Sequence, residues 1–195
     1  MLNPFEPGYH GSEELRKFGF GGVGENVQIA RNCTIVGLAN IFIGNNVRID
    51  SYTVVVATTG RLFLGNHIHI GGHCHLLAAD DLNFGDFSGI SQGVRIYTAN
   101  DDYTGKGFIG PMVPSEWRRL TKAPVSIGRY GGVGSGSVLL PGSVLGEGTV
   151  VGAQSLVTKP LAPWGVYFGA PVKRIKNRSK NFLTFEKERP ISLEQ

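Results

Sequence analysis

The chain has 195 residues, 29 of them glycine and two of them cysteine, and carries a formal net charge of +4. That length suits a single core. No apolar run is long enough to cross a bilayer and no N-terminal stretch reads as a signal peptide, so a cytoplasmic protein is expected. The positive excess gathers in Lys173, Arg174, Lys176, Arg178 and Lys180, a local cluster that fits a small anionic ligand and argues against a long polyanion such as nucleic acid.

In chain order, residues 1–20 stand before any repeat. Ser12 followed by Glu13, Glu14 and Leu15 reads as an N-cap with acidic residues in the first turn of a short helix. Such a helix would cover an open edge of the structure that follows.

From residue 21 to residue 162 an aliphatic residue recurs every six positions. Val23, Ile29 and Ile35 form one set, then Ile43, Ile49 and Val55, then Leu64, Ile70 and Leu76, then Phe84, Ile90 and Ile96. After a gap the series resumes at Ile127, Val133, Leu139, Leu145, Val151 and Val157, with Gly128, Gly134, Gly146 and Gly152 directly following four of them. Ordinary alternating strands would show period two. Period six predicts an all-β hexapeptide β-helix in which three hexads close one triangular coil.

The repeat assigns positions to other residues. Cys33 and Cys74 fall on the same inward position two coils apart, roughly 9.6 Å, too far for a disulfide, so two free, buried thiols are expected. His67, His69, His73 and His75 all point outward on two adjacent faces, and Arg95 should sit one coil above His75. Asp81 and Asp101 share an outward position on successive coils, about 4.8 Å apart, which would raise one carboxyl toward a useful base; two solvated loop aspartates are the competing reading. Residues 100–124, with Pro111, Pro114 and Trp117, form a long excursion between hexads, and loops of that length are commonly functional. Residues 163–195 bring a turn at Gly165 to Pro171, then a basic helical segment and a tail.

The stretch from Ile127-Gly128 through Val133-Gly134-Ser135-Gly136 and Pro141-Gly142, then Val151-Gly152-Ala153-Gln154 with Thr158-Lys159, then Phe168-Gly169-Ala170-Pro171-Val172-Lys173-Arg174-Ile175, resembles the hexapeptide-repeat acyltransferases. It looks most like the galactoside, maltose and polysaccharide-precursor sugar acetyltransferases. The resemblance implies a left-handed parallel β-helix and a homotrimer with acetyl-CoA in the groove between subunits. It carries coenzyme contacts onto Ser135, Ala153, Thr158, Lys159, Lys173, Arg174 and Lys176. The family's catalytic histidine stands where this chain has Asp101, and no histidine occurs after His75. Asp101 or Asp102 takes that role, or a histidine from another coil or subunit does, or no strong base is needed. His69 matches a position lining the family's sugar pocket, with His73 next.

The γ-class carbonic anhydrases share the helix and bind zinc through three histidines, but the histidine separations here do not match and no metal is expected. The expected function is acetyl transfer from acetyl-CoA to a sugar of surface polysaccharide synthesis. The missing loop histidine favours a nucleotide-linked amino-sugar acceptor, because a neutral amine is a stronger nucleophile than a hydroxyl. O-acetylation of a sugar hydroxyl or xenobiotic, and a scaffold without activity, are the alternatives.

Overall fold

The structure, a computed structural model, describes residue 3 and residues 5–188; residues 189–195 of the expected tail lie outside the described residues. Short strands stack in parallel on three flat faces, about seven coils in all. On the first face Val23, Ile43, Leu64, Phe84, Ile127 and Leu145 pair in one unbroken row. The second face aligns Ile29, Ile49, Ile70, Ile90, Val133 and Val151, and the third aligns Ile35, Val55, Leu76, Ile96, Leu139 and Val157. Every hexad residue read from the sequence stands in one of these rows.

Each strand turns two residues inward, the hexad aliphatic and the residue two before it. The second set is smaller near the top of the stack, where Ser137, Ser143, Thr149 and Ser155 are buried. Their hydroxyls donate to backbone carbonyls, Ser137 to Gly152 at 3.0 Å and Ser143 to Val157 at 3.1 Å, so the cost of burying them is offset. Cys33, Thr53 and Cys74 stack in the same way on the third face. Both cysteines are free; Cys74 is buried but Cys33 only half so. Burial pushes the Cys74 thiol up to about 11.

Two expectations for the ends need correction. The bottom edge of the second face is covered by the strand Tyr9–Gly11, antiparallel to Val27–Ala30, because only a strand can satisfy a row of open backbone groups. The helix Ser12–Leu15 follows and plugs the apolar end with Leu15. Gly11, not Ser12, is its N-cap; the Ser12 hydroxyl accepts from the Val27 N–H at 2.8 Å, fastening the helix to the first coil. At the top, the basic segment Lys173–Asn177 is a strand, not a helix, antiparallel to Gly165–Phe168. An exposed sheet edge overrides local helical preference there. The C-terminal helix is Leu183–Glu188.

The excursion is also more ordered than a bare loop. Ala99–Asp101 and Leu120–Lys122 form an antiparallel ribbon, and Val125 then pairs with Leu82, so the coil closes in register beneath the insertion.

Leu139 has no exposed surface and is packed between coils above and below. Leu139→Ala is expected to lower the unfolding free energy by about 2–5 kcal/mol in denaturant titration. A change under about 0.5 kcal/mol, typical of a surface site, would contradict that placement.

Candidate active site

Where the second face turns into the third, the backbone builds a continuous vertical edge. The N–H of His73 donates to Ser51, that of Gly93 to Gly72, that of Gly136 to Gln92 and that of Gln154 to Ser135, each at 2.9–3.0 Å. Gly72, Gln92, Ser135 and Ala153 therefore form one column. Tyr52, His73, Gly93, Gly136 and Gln154 form the column beside it, all with positive φ. On the second face beside this edge lies a groove of about 490 Å³, lined by His69, Ser91, Gln92, Gly134 and Val151 among others. Its floor is largely glycine and small residues, and at Gly134 a Cβ would collide with the backbone of Ala153. A thin, extended ligand could lie along it.

The sequence-derived candidates are dispersed around this frame. Ser135 and Ala153 are adjacent on the edge, and the Ser135 hydroxyl donates to the Gln92 side-chain Oε1 at 3.4 Å. Lys173 and Lys176 lie exposed on the top edge strand, without salt bridges among the described residues, while Arg174 is turned back onto the Pro163, Trp164 and Asn177 oxygens. Thr158 and Lys159 are exposed at the next corner, past the strand Leu156–Val157. His73 sits on the edge, its ring stacked on Tyr52 with centroids 5.0 Å apart. His75 lies under Arg95 as expected; burial first, then that guanidinium, lowers its pKa.

Asp101 does not share a lattice position with Asp81. The ribbon carries it off the coil, where its carboxylate accepts from Arg118 at 3.0 Å and from the Gly110 N–H at 3.2 Å. Asp81 instead pairs with Arg61, at 2.9 Å, and this holds its carboxyl below the usual range. Of the two readings of these aspartates, the carboxylate pair is therefore absent. Within one chain Asp101 also stands past the third face, away from the groove beside His69. Among the described residues, no three His, Cys, Asp or Glu side chains gather as a metal site.

The sequence reading missed a network around His69. Its Nε2 lies 2.7 Å from Asp50 Oδ2, while Arg48 donates to Oδ1 at 2.7 Å and the Tyr9 hydroxyl donates to the same oxygen at 3.2 Å. A carboxylate accepts only, so Nε2 carries the proton of the neutral ring and Nδ1 is left as the lone-pair nitrogen. A signal was present: Asp50 is the one charged residue in a column otherwise holding Ala30, Gly71, Ser91, Gly134 and Gly152. Burial alone would raise the Asp50 carboxyl, but hydrogen bonds from Arg48 and His69 outweigh it and hold it below the ordinary value. A depressed carboxyl contributes stability in full above its unfolded pKa of about 3.9, and loses it as pH falls through the folded value. The parent should thus melt above Asp50→Asn at neutral pH, and thermal melts taken down toward pH 3 should show the gap closing. A gap independent of pH would remove the carboxylate from this account.

No protein-family model matches the chain. Individual proteins do. The dTDP-4-amino-4,6-dideoxy-D-glucose acyltransferase of Escherichia coli is 38% identical over 173 residues, 89% of this chain and 90% of that protein. The solved structure of a serine-to-alanine variant of AntD, an N-acyltransferase from Bacillus cereus, in complex with dTDP-4-amino-4,6-dideoxyglucose and coenzyme A, superposes with a TM-score of 0.89 at 34% identity, over 93% of this chain and 96% of that one. A maltose O-acetyltransferase from Clostridium difficile 630, at 24% identity and a TM-score of 0.54, shares the fold alone. Set beside the unbroken hexad rows and the coiled faces, these relationships place the chain among the hexapeptide-repeat sugar acyltransferases.

Proposed function

We propose that the protein transfers a short acyl group, acetyl in the simplest case, from its coenzyme A thioester to the amine of a dTDP-linked 4-amino-4,6-dideoxy sugar destined for surface polysaccharide. The observation that carries this reading is the match, over most of both chains, to an acyltransferase of that substrate and to AntD with sugar nucleotide and coenzyme A bound. The small-residue edge at Ser135 and Ala153 suits a pantetheine arm. Lys173 and Lys176, exposed above it, suit the coenzyme phosphates, and Thr158 and Lys159 extend the basic rim.

The chemistry asks little of a base. The neutral amine attacks the thioester carbonyl, a C–N bond forms, the C–S bond breaks, and coenzyme A leaves as thiolate. The nitrogen then gives up one proton, which the departing thiolate can accept. His69, oriented by Asp50, offers Nδ1 as a hydrogen-bond acceptor for the sugar, and His73 stands at the next corner of the same coil. The Asp101 carboxylate is already committed to Arg118, a poor starting point for an obligatory base.

The working unit in this reading is a homotrimer. AntD has been crystallised with a serine and, ten positions on, an aspartate replaced in turn. Ser91 and Asp101 are the one Ser and Asp pair in this chain at that spacing. Ser91 lines the groove and Asp101 sits on the excursion, so a single chain does not bring them together. An excursion reaching the groove of a neighbouring copy would. Exposed Tyr103, Phe108, Met112 and Trp117 on that excursion gain burial in such an assembly. Sedimentation equilibrium should return three times the 21.0 kDa chain mass; a monomer at micromolar concentration would refute the trimer.

Thiol release from acetyl-CoA tests the reaction, with dTDP-4-amino-4,6-dideoxyglucose set against maltose and chloramphenicol. The amino sugar should be the active acceptor, with a rate that rises with pH through the amine's own pKa. Asp101→Asn should lose less than the roughly 10²-fold that marks general-base catalysis, and His69→Ala should chiefly raise the sugar KM. A loss of 10²-fold or more in Asp101→Asn with intact coenzyme binding would assign the base to Asp101 instead.

A further inference from the structure

Two aromatic ladders climb the corners of this solenoid, and they differ in what covers them. The longer one stacks His67 on Phe87 at 4.7 Å and Phe87 on Tyr130 at 5.7 Å, and continues to Trp164. The chain itself closes it: Phe182 packs edge-on to Tyr130, Arg178 donates to the Tyr130 carbonyl, and Glu186 accepts from the Tyr130 hydroxyl and from Arg129. Burial first, then the Glu186 carboxylate, pushes the Tyr130 phenol up to about 12. The C-terminal segment of the chain thus holds that ladder from its outer side.

The shorter ladder is Tyr52 on His73, near parallel at 18°, and among the described residues no ring covers the outer side of Tyr52, which is 61% exposed. Both residues hold left-handed backbone, φ 61 and φ 59, a conformation that disfavours bulky side chains and suits Gly or Asn. On the two coils above, the same column does carry glycine, at Gly93 and Gly136. Folding alone therefore has no need of a tyrosine at position 52. The ring also stands in line with the groove: going down the edge from Ser135, one meets Gln92, then the His73 coil, then the Tyr52 coil.

Resting on the nucleotide-sugar reading above, we propose that the exposed face of Tyr52, backed by His73, is the platform on which the acceptor's nucleobase stacks. Ser91 and His69 mark the sugar end of the groove. Tyr52 lies two coils below Ser91, roughly 9.6 Å, a span that a diphosphate and a deoxyribose can cross. Arg95 is exposed on the adjoining face two residues past Gly93, without a carboxylate partner among the described residues, and suits the diphosphate. Coenzyme A also carries a base, but its phosphates belong with Lys173 and Lys176 at the opposite end of the edge, so the base on Tyr52 comes from the acceptor.

Tyr52→Asn removes the ring and places a residue tolerant of left-handed backbone there, so the fold should be at least as stable as the parent by thermal melting. Calorimetric titration with dTDP should show the Kd rising about 5- to 150-fold, the span for losing one base-stacking contact. The KM for the dTDP-amino sugar should rise in step, the KM for acetyl-CoA should hold, and Tyr52→Phe should bind dTDP as the parent does. Parent-like dTDP affinity in Tyr52→Asn, in an enzyme that still acylates the sugar, would overturn the platform alone. A rise confined to the acetyl-CoA KM would reassign the ring to the coenzyme's adenine and overturn the proposal equally. A parent that binds no dTDP would overturn the nucleotide-sugar reading and the platform with it.

Discussion

The inward aliphatic side chains and the backbone hydrogen bonds between coils enforce one another. Ile96 can bury itself only if it sits over Leu76 and under Leu139, and those placements align the N–H and C=O groups of their strands. A slip of one residue would turn the aliphatic set outward and the polar set inward. Each such side chain is worth about 1.5–3 kcal/mol when buried, so repetition over three faces leaves no competing register. The outward positions are then fixed as well, because alternation places each outward residue a known number of coils from its neighbours. His69, between Arg48 and Gly89, and His75, beneath Arg95, occupy their places for this reason and not through contacts of their own.

What the lattice leaves unsatisfied explains the parts that depart from it. A parallel stack has two open edges, and each is paired on the second face by an antiparallel strand drawn from outside the repeat, Tyr9–Gly11 below and Lys173–Asn177 above. Its corners repeatedly require left-handed backbone, and the chain meets the requirement with glycine, asparagine, an aromatic or imidazole ring and, near the top, Gln154. The pairing at the upper edge also fixes the cations of the top segment in place on the edge strand Lys173–Asn177.

The division of labour at the site follows from geometry. The groove, its small-residue edge and the oriented His69 belong to the lattice and are rigid. The excursion leaves from the far side of the third face, and the ion pair of Asp101 with Arg118 organises the excursion itself. Transfer to an amine tolerates that arrangement, since positioning two reactants supplies much of the rate when the nucleophile is already strong. A hydroxyl acceptor would need a base freed from such a pair.

The hexad spacing by itself determined the three faces, the register of every coil, the separation of Cys33 from Cys74 and the stacking of Arg95 over His75, because each follows from counting along a lattice. The motifs after Ile127 likewise pointed to the family, since they are read in order along the chain. Tertiary structure alone decided that Asp101 leaves the lattice, because residues between hexads are under no periodic constraint and its partner, Arg118, is remote in sequence. It alone made a strand of Lys173–Asn177, where an open edge outweighed local preference. The Asp50 network and the uncovered Tyr52 ring are of the same kind: counting could place both residues, but only the coordinates show which side chains reach the carboxylate and which aromatic face the chain leaves bare.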